Sequence, residues 1–297
     1  MQSPIVELDF TDWRQAHGRP EWTAAVESGQ VLYFPRLGFE VLPDEKPLLR
    51  EEMLAPESRN VSLGADGVLK GAGGTAAEQR QLAAMIGRFR QQAQQFVDAL
   101  LPEYRGQLRV APTSFRPRQV ETRAQSVRAD DQRLHVDAFP SRPNYGERIL
   151  RVFANVNPAG VPRVWRVGDA FEAVARQFLP RAKPYRLWQA QVLNALHVTK
   201  SLRSEYDHLM LQLHDLMKFD EVYQKSGTQV SVPFAAGSVW VCYSDQATHA
   251  VMSGQYMMEQ TLYLPPGREA NPQASPLAIL TRLVGRPLIG VGAGTAC

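Results

Sequence analysis

Two short segments of the chain carry side chains that could hold a metal ion. His135 and Asp137 are separated by one residue, and His249 lies far downstream in an Ala-Thr-His sequence. In an extended strand, side chains two residues apart point to the same face, so this imidazole and this carboxylate would converge. A histidine from a later strand would complete two histidines and one carboxylate. That facial triad is typical of non-haem Fe(II) oxygenases, and it leaves coordination positions open for cosubstrate and O2.

The surroundings of the triad decide between this hypothesis and a simpler one. A bare His-x-Asp match is common by chance, and by itself it favours two surface residues on an edge strand. Here a Gly-Ser-Val-Trp turn and strand at 237–240 precedes His249, which we expect in a loop, and a Ser-Gly turn at 253–254 follows it. A jelly roll places an early and a late strand side by side. We therefore favour the metal site.

Periodicity predicts the helices that would support this site. Apolar residues recur at three- and four-residue spacing from Ala76 to about Leu101, and a proline follows. This pattern indicates an amphipathic helix with one face on a core. Further helices are expected at about 169–178, 202–219 and 278–284, whereas residues 1–60 suggest short strands and turns.

Strand character dominates from about 109 to 266, with a helical insert at about 168–220. Pro112 and Pro117 place the first of these strands at a sheet edge or barrel rim. In the strand at 148–158 one face is uniformly apolar, while Arg151 and Asn155 share the other. The pattern predicts a mainly β protein with flanking helices around a double-stranded β-helix (jelly roll, cupin-like) core, and we expect residues 1–297 to form a single domain.

Composition excludes several classes of protein. The 297 residues are 44% hydrophobic and 21% charged, as in ordinary globular proteins, and the net charge of +3 comes without a basic arm for nucleic acid. The two cysteines, Cys242 and Cys297, form no disulfide framework, and we expect the first to lie in the core. The first residues lack a signal-peptide pattern, and no stretch has the length of a membrane span. We expect a cytoplasmic location.

Five segments extend the pattern well beyond the triad. They are 113–118 (TSFRPR), 134–141 (LHVDAFPS), 148–158 (RILRVFANVNP), 163–165 (RVW) and 245–249 (DQATH). On these segments the chain resembles the Kdo 3-hydroxylases, a family of Fe(II)- and 2-oxoglutarate-dependent dioxygenases of Gram-negative lipopolysaccharide assembly. The resemblance covers about residues 109–266 and, more loosely, the whole chain.

The resemblance implies a reaction and a location. His135, Asp137 and His249 would hold Fe(II) and act in catalysis through the iron, with 2-oxoglutarate and O2 as cosubstrates and ascorbate as the reductant in vitro. The enzyme would hydroxylate C3 of the Kdo sugar on Kdo-lipid A and release succinate and CO2. That anionic glycolipid lies at the inner-membrane surface, so we expect a protein peripheral to the cytoplasmic face of that membrane, without a nucleic-acid partner. A homo-oligomer stays possible.

Two anionic ligands then require cations. Related oxygenases often place an arginine shortly after the distal histidine, but none lies between His249 and Pro266. We expect Arg151, together with Asn155, to bind 2-oxoglutarate, because arginine suits bidentate carboxylate binding. The alternative for Arg151 is an ion pair with a nearby acidic residue.

The sugar needs its own contacts, and the sequence also leaves other functions open. We expect Arg116, Arg163 and Trp165 to face the sugar, although Arg116 and Arg151 could exchange roles. One alternative function is a 2-oxoglutarate oxygenase of a protein side chain or of another small anionic substrate, and another is a non-enzymatic, cupin-like sugar-binding barrel. The arginines favour an anionic glycolipid over a peptide. The histidines at 197, 208 and 214 are expected to be structural or solvated.

Overall fold

The computed structural model describes residues 3–121 and 125–289, and within these ranges the protein is mainly sheet with helices packed outside. Cys297 lies outside the described residues. The strands are β1 (Ile5–Glu7), β2 (Val31–Phe34), β3 (Val61–Leu63), β4 (Leu69–Lys70), β5 (Arg109–Arg116), β6 (Arg148–Asn155), β7 (Arg163–Val167), β8 (Val230–Phe234), β9 (Val239–Tyr243), β10 (His249–Ser253) and β11 (Met257–Leu264). The helices are α1 (Pro20–Glu27), α2 (Ala76–Leu100), α3 (Phe171–Phe178), α4 (Leu187–Ala195), α5 (Glu205–Phe219), α6 (Glu221–Ser226) and α7 (Pro276–Val284).

The strands form two sheets whose faces meet. The large sheet has the order β1-β2-β9-β6-β11-β5-β3-β4, and the small sheet has the order β10-β7-β8. Aromatic side chains fill the space between them: Phe153 of β6 lies 5.1 Å from Trp165 of β7, and Trp240 of β9 stacks on Phe234 of β8 at 4.3 Å. Burial of such large rings is a major source of stability, so this layer fixes the small sheet against the large one.

The opposite face of the large sheet packs on α2. Thr75 and Glu78 form a capping box at the start of this helix, which explains where it begins. Its buried side is lined by apolar residues at three- and four-residue spacing, and these join Leu150 and Val152 of β6 in one core cluster. The predicted amphipathic helix is confirmed. Among the described helices, none combines the length and apolar character that crossing a bilayer requires.

The predicted edge position of β5 is wrong. This strand lies between β11 and β3 in the large sheet. Pro112 is tolerated there because the pairing of β5 with β11 shifts register beside it, and because β3 pairs only with residues 113–115. The ladder therefore needs no N–H group at Pro112.

Two other local expectations need correction. His249 does not lie in a loop but begins β10, where it pairs with Val167 of β7. The helices α1, α4 and α6 were not expected. They are short, and in α4 only Ala190 is buried, so the chain has no single apolar face there to reveal a helix.

Candidate metal centre

Backbone hydrogen bonds bring the three triad residues together. His135 and His249 form an isolated antiparallel bridge in which each N–H donates to the other's carbonyl oxygen at 2.9 Å. The N–H of Asp137 donates to the carbonyl of Ser244 at 2.8 Å. The segment that carries the His-x-Asp motif is thus fixed to the turn and strand that carry the distal histidine.

The side chains converge as the spacing predicts. Each of His135, Asp137 and His249 offers one donor atom, and these three atoms lie within 4.8 Å of one another. His135 Nε2 is 3.7 Å from Asp137 Oδ1, and the two imidazole centroids are 4.7 Å apart. Within residues 3–121 and 125–289 this is the one group of three histidine, cysteine or acidic side chains close enough to share a metal ion.

The orientation of both imidazoles suits a metal. Nδ1 of His135 lies 2.7 Å from the carbonyl oxygen of Arg133, and Nδ1 of His249 lies 2.8 Å from that of Ala247. A carbonyl oxygen only accepts, so Nδ1 carries the proton on each ring and Nε2 keeps its lone pair. Metal-binding histidines are typically held in this way.

The electrostatics favour the metal-binding protonation states. Burial lowers the pKa of both His135 and His249 below the ordinary value for histidine, so both rings are neutral. Burial alone would raise the pKa of Asp137, but Arg151, His249 and His135 hold it well below its usual range. Two neutral imidazoles and one carboxylate form the donor set of non-haem Fe(II) sites, so the residues present fit iron.

A cavity of about 1100 Å³ opens over this centre. Basic side chains outnumber acidic ones in its lining. The basic ones are Arg59, Arg116, Arg118, Arg128, Arg151, Arg163 and Lys218; the acidic ones are Glu51, Asp131, Asp137, Asp215 and Glu259. Such a cavity attracts anionic ligands.

Arg151 makes two ion pairs in this cavity. Its Nη1 is 2.9 Å from Glu259 Oε1, and its Nη2 is 2.9 Å from Asp137 Oδ2, without the alignment of a hydrogen bond in the second case. Arg116 lies on the other oxygen of Glu259 at 3.0 Å. Both arginines therefore contact acidic residues, and Glu259, which sequence reasoning missed, links them. The available signal was a carboxylate within the otherwise uncharged strand β11.

Two residues that were expected to face the sugar lie deep in the cavity. Trp165 is 1% exposed and stacks on the ring of His249 at 4.9 Å, and Arg163 is 4% exposed. Both line the cavity at the depth of the metal ligands. The expected contact of Arg163 and Trp165 with the sugar stays a prediction, and their depth favours a small ligand there.

Asn155 is not brought to the site. Its Nδ2 donates to the backbone carbonyls of Val161 and Phe234, and its side chain does not line the cavity. Its position at the end of β6, where the chain turns, accounts for this internal role. These contacts do not favour the expected contact of Asn155 with 2-oxoglutarate, which stays a prediction.

His214 lies beside the triad but is not one of the three converging side chains, which agrees with the expectation that it is not a ligand. It projects from α5, and its ring meets that of His135 edge to face with centroids 5.4 Å apart. Its Nδ1 is 3.0 Å from Asp215 Oδ1, and it lines the cavity. His208, on another side of the same helix, contacts the carbonyl of Lys183 instead. The sequence shows that these two histidines face apart, but not which one faces the cavity.

Comparisons with known proteins agree with this geometry. The model of the 3-deoxy-D-manno-oct-2-ulosonic acid (Kdo) hydroxylase family matches residues 10–287. The cobalt(II) complex of the Kdo hydroxylase KdoO, a non-haem Fe(II) α-ketoglutarate-dependent dioxygenase, is 39% identical, with a TM-score of 0.94 over 99% of this chain and 100% of that chain. Its complex with α-ketoglutarate and Fe(III) gives a TM-score of 0.92 at the same identity and coverage, as does its complex with succinate and Fe(III). A comparison with curated proteins gave no match.

Proposed function

This chain belongs to the Kdo hydroxylase family, and from that premise we propose how its cavity hydroxylates Kdo. The enzyme is a non-haem Fe(II)- and 2-oxoglutarate-dependent dioxygenase. His135, Asp137 and His249 would hold Fe(II), and 2-oxoglutarate and O2 would reach it from the cavity that opens over these residues. Bound there, the iron supplies the redox chemistry that couples loss of CO2 from 2-oxoglutarate to oxygen insertion at a C–H bond.

One observation supports this assignment above the others. Both imidazoles donate Nδ1–H to a backbone carbonyl, so both Nε2 lone pairs are fixed toward the carboxylate of Asp137. Histidines that only fill a core do not need to point their Nε2 atoms at the same carboxylate. The protein thereby pre-orients the ligands before a metal arrives.

The charge balance supports a site for 2-oxoglutarate beside the proposed iron site. Arg116 and Arg151 are matched by Glu259 and Asp137, so the charge of a bound divalent ion remains to attract a dianion. Arg163 and Trp165 lie at the same depth and enclose a small ligand better than a glycolipid. We assign 2-oxoglutarate to this inner part of the cavity, with Arg151 or Arg116 at its distal carboxylate.

The outer part of the cavity then receives the sugar. Arg59 and Arg118 line it and carry charges that suit the sugar carboxylate and the phosphates of Kdo-lipid A, while Arg128, which also lines it, is paired with Asp215 at 2.9 Å. Residues that hold the sugar carboxylate there would orient Kdo with C3 toward the proposed iron site. The residues that order the outer cavity thus choose the carbon that reacts.

The fold supports the same proposal. The two sheets face each other across an aromatic layer, and the triad lies where β10 of the small sheet meets the His135 segment. We assign this core to the double-stranded β-helix class, in one oxygenase domain.

Succinate release tests the function. The purified protein is incubated with Fe(II), ascorbate and 2-oxoglutarate, with and without Kdo-lipid A, and the lipid is analysed by mass spectrometry. We expect succinate to rise with the lipid and the lipid to gain one oxygen atom. His135→Ala abolishes both signals, while His17→Ala, at an exposed histidine away from the cavity, leaves them unchanged.

Other outcomes separate the alternatives. Slow 2-oxoglutarate turnover that the lipid does not change would keep the metal centre but exclude this substrate. Sugar binding by both wild type and His135→Ala, without succinate from either, would indicate a binding barrel instead of an enzyme.

A further inference from the structure

One surface of the protein is far more apolar than the rest. Of the twelve large apolar side chains that are exposed within the described ranges, six fall between residues 187 and 202, in α4 and the segment after it. They are Leu187 (52% exposed), Trp188 (58%), Val192 (47%), Leu196 (68%), Val198 (53%) and Leu202 (39%). Scattered exposed apolar residues are normal, but a contiguous group marks an interaction site.

This surface is also one-sided in charge. From residue 181 to 203 the chain contains no aspartate or glutamate. Arg181 pairs with Asp220 outside this segment, which leaves the charges of Lys183, Arg186, Lys200 and Arg203. We call residues 181–203 the basic apolar surface. An apolar helix flanked by basic residues is the pattern of segments that lie in the headgroup region of an anionic bilayer.

The basic apolar surface is fixed to the body of the protein. Tyr185 donates its hydroxyl to the carbonyl of Arg203 at 2.8 Å, and Tyr145 donates to that of Leu202 at 2.7 Å. Ala190 and Thr199 are buried beneath it. The apolar side chains are therefore held outward by a folded segment.

Its position relates it to the cavity. The N–H of Lys200 donates to the carbonyl of Ser141 at 2.8 Å, and the guanidinium of Arg203 donates to that of Pro140 at 2.5 Å. Pro140 lines the cavity and follows the metal ligand Asp137 by three residues. A partner on the basic apolar surface would thus lie beside the cavity wall.

Charge distinguishes a bilayer from a second copy of the chain. In a two-fold contact the same patch meets itself, so the cations of one copy would face those of the other without an acidic residue from 181–203 to neutralise them. An anionic bilayer neutralises all of them and accepts the apolar side chains at the same time.

We propose that the basic apolar surface docks the enzyme on an anionic lipid bilayer, with Trp188 and Leu196 inserted among the headgroups. The purpose of docking rests on the proposed function, since docking would present the cavity to a sugar that is carried on a lipid. Vesicle binding itself needs neither metal nor substrate.

The test uses the full protein with vesicles of phosphatidylcholine, alone or mixed with phosphatidylglycerol. Flotation measures the bound fraction. Tryptophan fluorescence reports on Trp188, because the other four tryptophans are at most 8% exposed. We expect binding to the anionic vesicles only, with a blue shift in emission and a loss of binding at high salt.

Matched variants locate the contact. Trp188→Ser/Leu196→Ser and, separately, Lys183→Glu/Lys200→Glu should each weaken binding by roughly tenfold or more. The controls change equally exposed residues elsewhere: Val68→Ser/Val222→Ser for apolar side chains and Lys70→Glu/Arg105→Glu for charge. These controls should bind like wild type. Thermal unfolding verifies that all variants are folded.

Three results would overturn the proposal: wild type that ignores anionic vesicles, surface variants that bind as well as wild type, or a wild-type dimer in sedimentation velocity that Trp188→Ser/Leu196→Ser dissociates. The last result would identify the surface as a subunit contact. Hydroxylation of detergent-dispersed substrate separates the two proposals. Activity without vesicle binding would contradict only the docking proposal. Vesicle binding without activity would contradict only the proposed function.

Discussion

Strand β6 carries two arginines that serve different regions of the molecule. Arg148 is fully buried: it pairs with Asp245 at 2.8 Å, donates to Gln246 at 2.5 Å, and lies 3.8 Å over the ring of Tyr243. Arg151 pairs with carboxylates on the other side of the strand and lines the cavity. We call the first group the closed clamp. The clamp is made of protein alone, whereas the cavity arginine faces space for a ligand.

The closed clamp acts on the metal centre through the backbone. Asp245 accepts a hydrogen bond from the N–H of Ile149 at 3.1 Å, and Ser244 donates its N–H to the carbonyl of that same residue at 2.9 Å. The carbonyl of Ser244 in turn holds Asp137. The two regions thus differ in their surroundings: the clamp fixes the turn before His249, and the cavity arginines line the space over the triad.

The largest stability effect is expected in the clamp. Arg148→Met leaves the carboxylate of Asp245 buried without its cation, which should lower the free energy of unfolding by about 3–5 kcal/mol. Urea denaturation measures this change. The KM for 2-oxoglutarate, measured on the protein that remains folded, should stay close to wild type, since Arg148 does not line the cavity.

An exposed pair is the matched control. Arg109 pairs with Glu147 at 57% side-chain exposure, so Arg109→Met should cost about 1 kcal/mol or less. Arg148→Met/Asp245→Leu should recover much of the loss, because it removes both buried charges. Equal losses at Arg148 and Arg109 would mean that the clamp contributes no more than a surface ion pair.

In the cavity the expected change is in ligand binding. Under the proposed assignment, Arg151→Met removes charge-assisted hydrogen bonds to a carboxylate, which are worth about 1.5–3 kcal/mol. The KM for 2-oxoglutarate should therefore rise by roughly 10- to 100-fold. Steady-state succinate release measures it, and the loss of unfolding free energy should be smaller than for Arg148→Met because Arg116 still neutralises Glu259.

The conservative variant shows whether charge or geometry matters at Arg151. Arg151→Lys keeps the charge but loses the bidentate fork, so its KM should lie between those of wild type and Arg151→Met. A destabilised Arg151→Met with unchanged KM would instead place Arg151 in the same structural class as Arg148.

The contrast between the two arginines also explains what the sequence could predict. Alternation along β6 correctly separated an apolar face from the mixed face with Arg151, because strand geometry alone sets that pattern. Arg148 shares the apolar face with Leu150 and Val152, and its partner comes from a distant turn. No local pattern indicates such a pair.

The metal centre was predictable and most of the cavity was not. The His-x-Asp spacing aims two of the side chains at one point, and the bridge between His135 and His249 brings the third beside them. Glu259 and His214 enter the cavity through the register of β11 and the packing of α5, respectively. Both depend on long-range placement, which neither periodicity nor composition encodes.

The last expected effect is a difference in pH dependence between the two regions. In the metal-free protein, burial keeps His135 and His249 neutral, with pKa values below that of unfolded histidine near 6.5. As the pH falls below about 6.5, the unfolded chain binds protons at these positions while the native protein does not, so stability decreases by at most about 1.4 kcal/mol per histidine per pH unit. Urea denaturation between pH 7 and 5 measures the slope.

Variants assign this slope to one region. Replacing both histidines, as His135→Gln/His249→Gln, should flatten the slope, because the groups that titrate only in the unfolded chain are gone. Arg148→Met should lower stability but keep the wild-type slope. Burial alone would lower the pKa of Arg148, but Asp245 outweighs it and raises that pKa, so Arg148 stays charged throughout this range. If unfolding free energy still falls with pH as steeply after both histidines are replaced, other groups take up the protons. His135 and His249 would then not be held neutral by their surroundings.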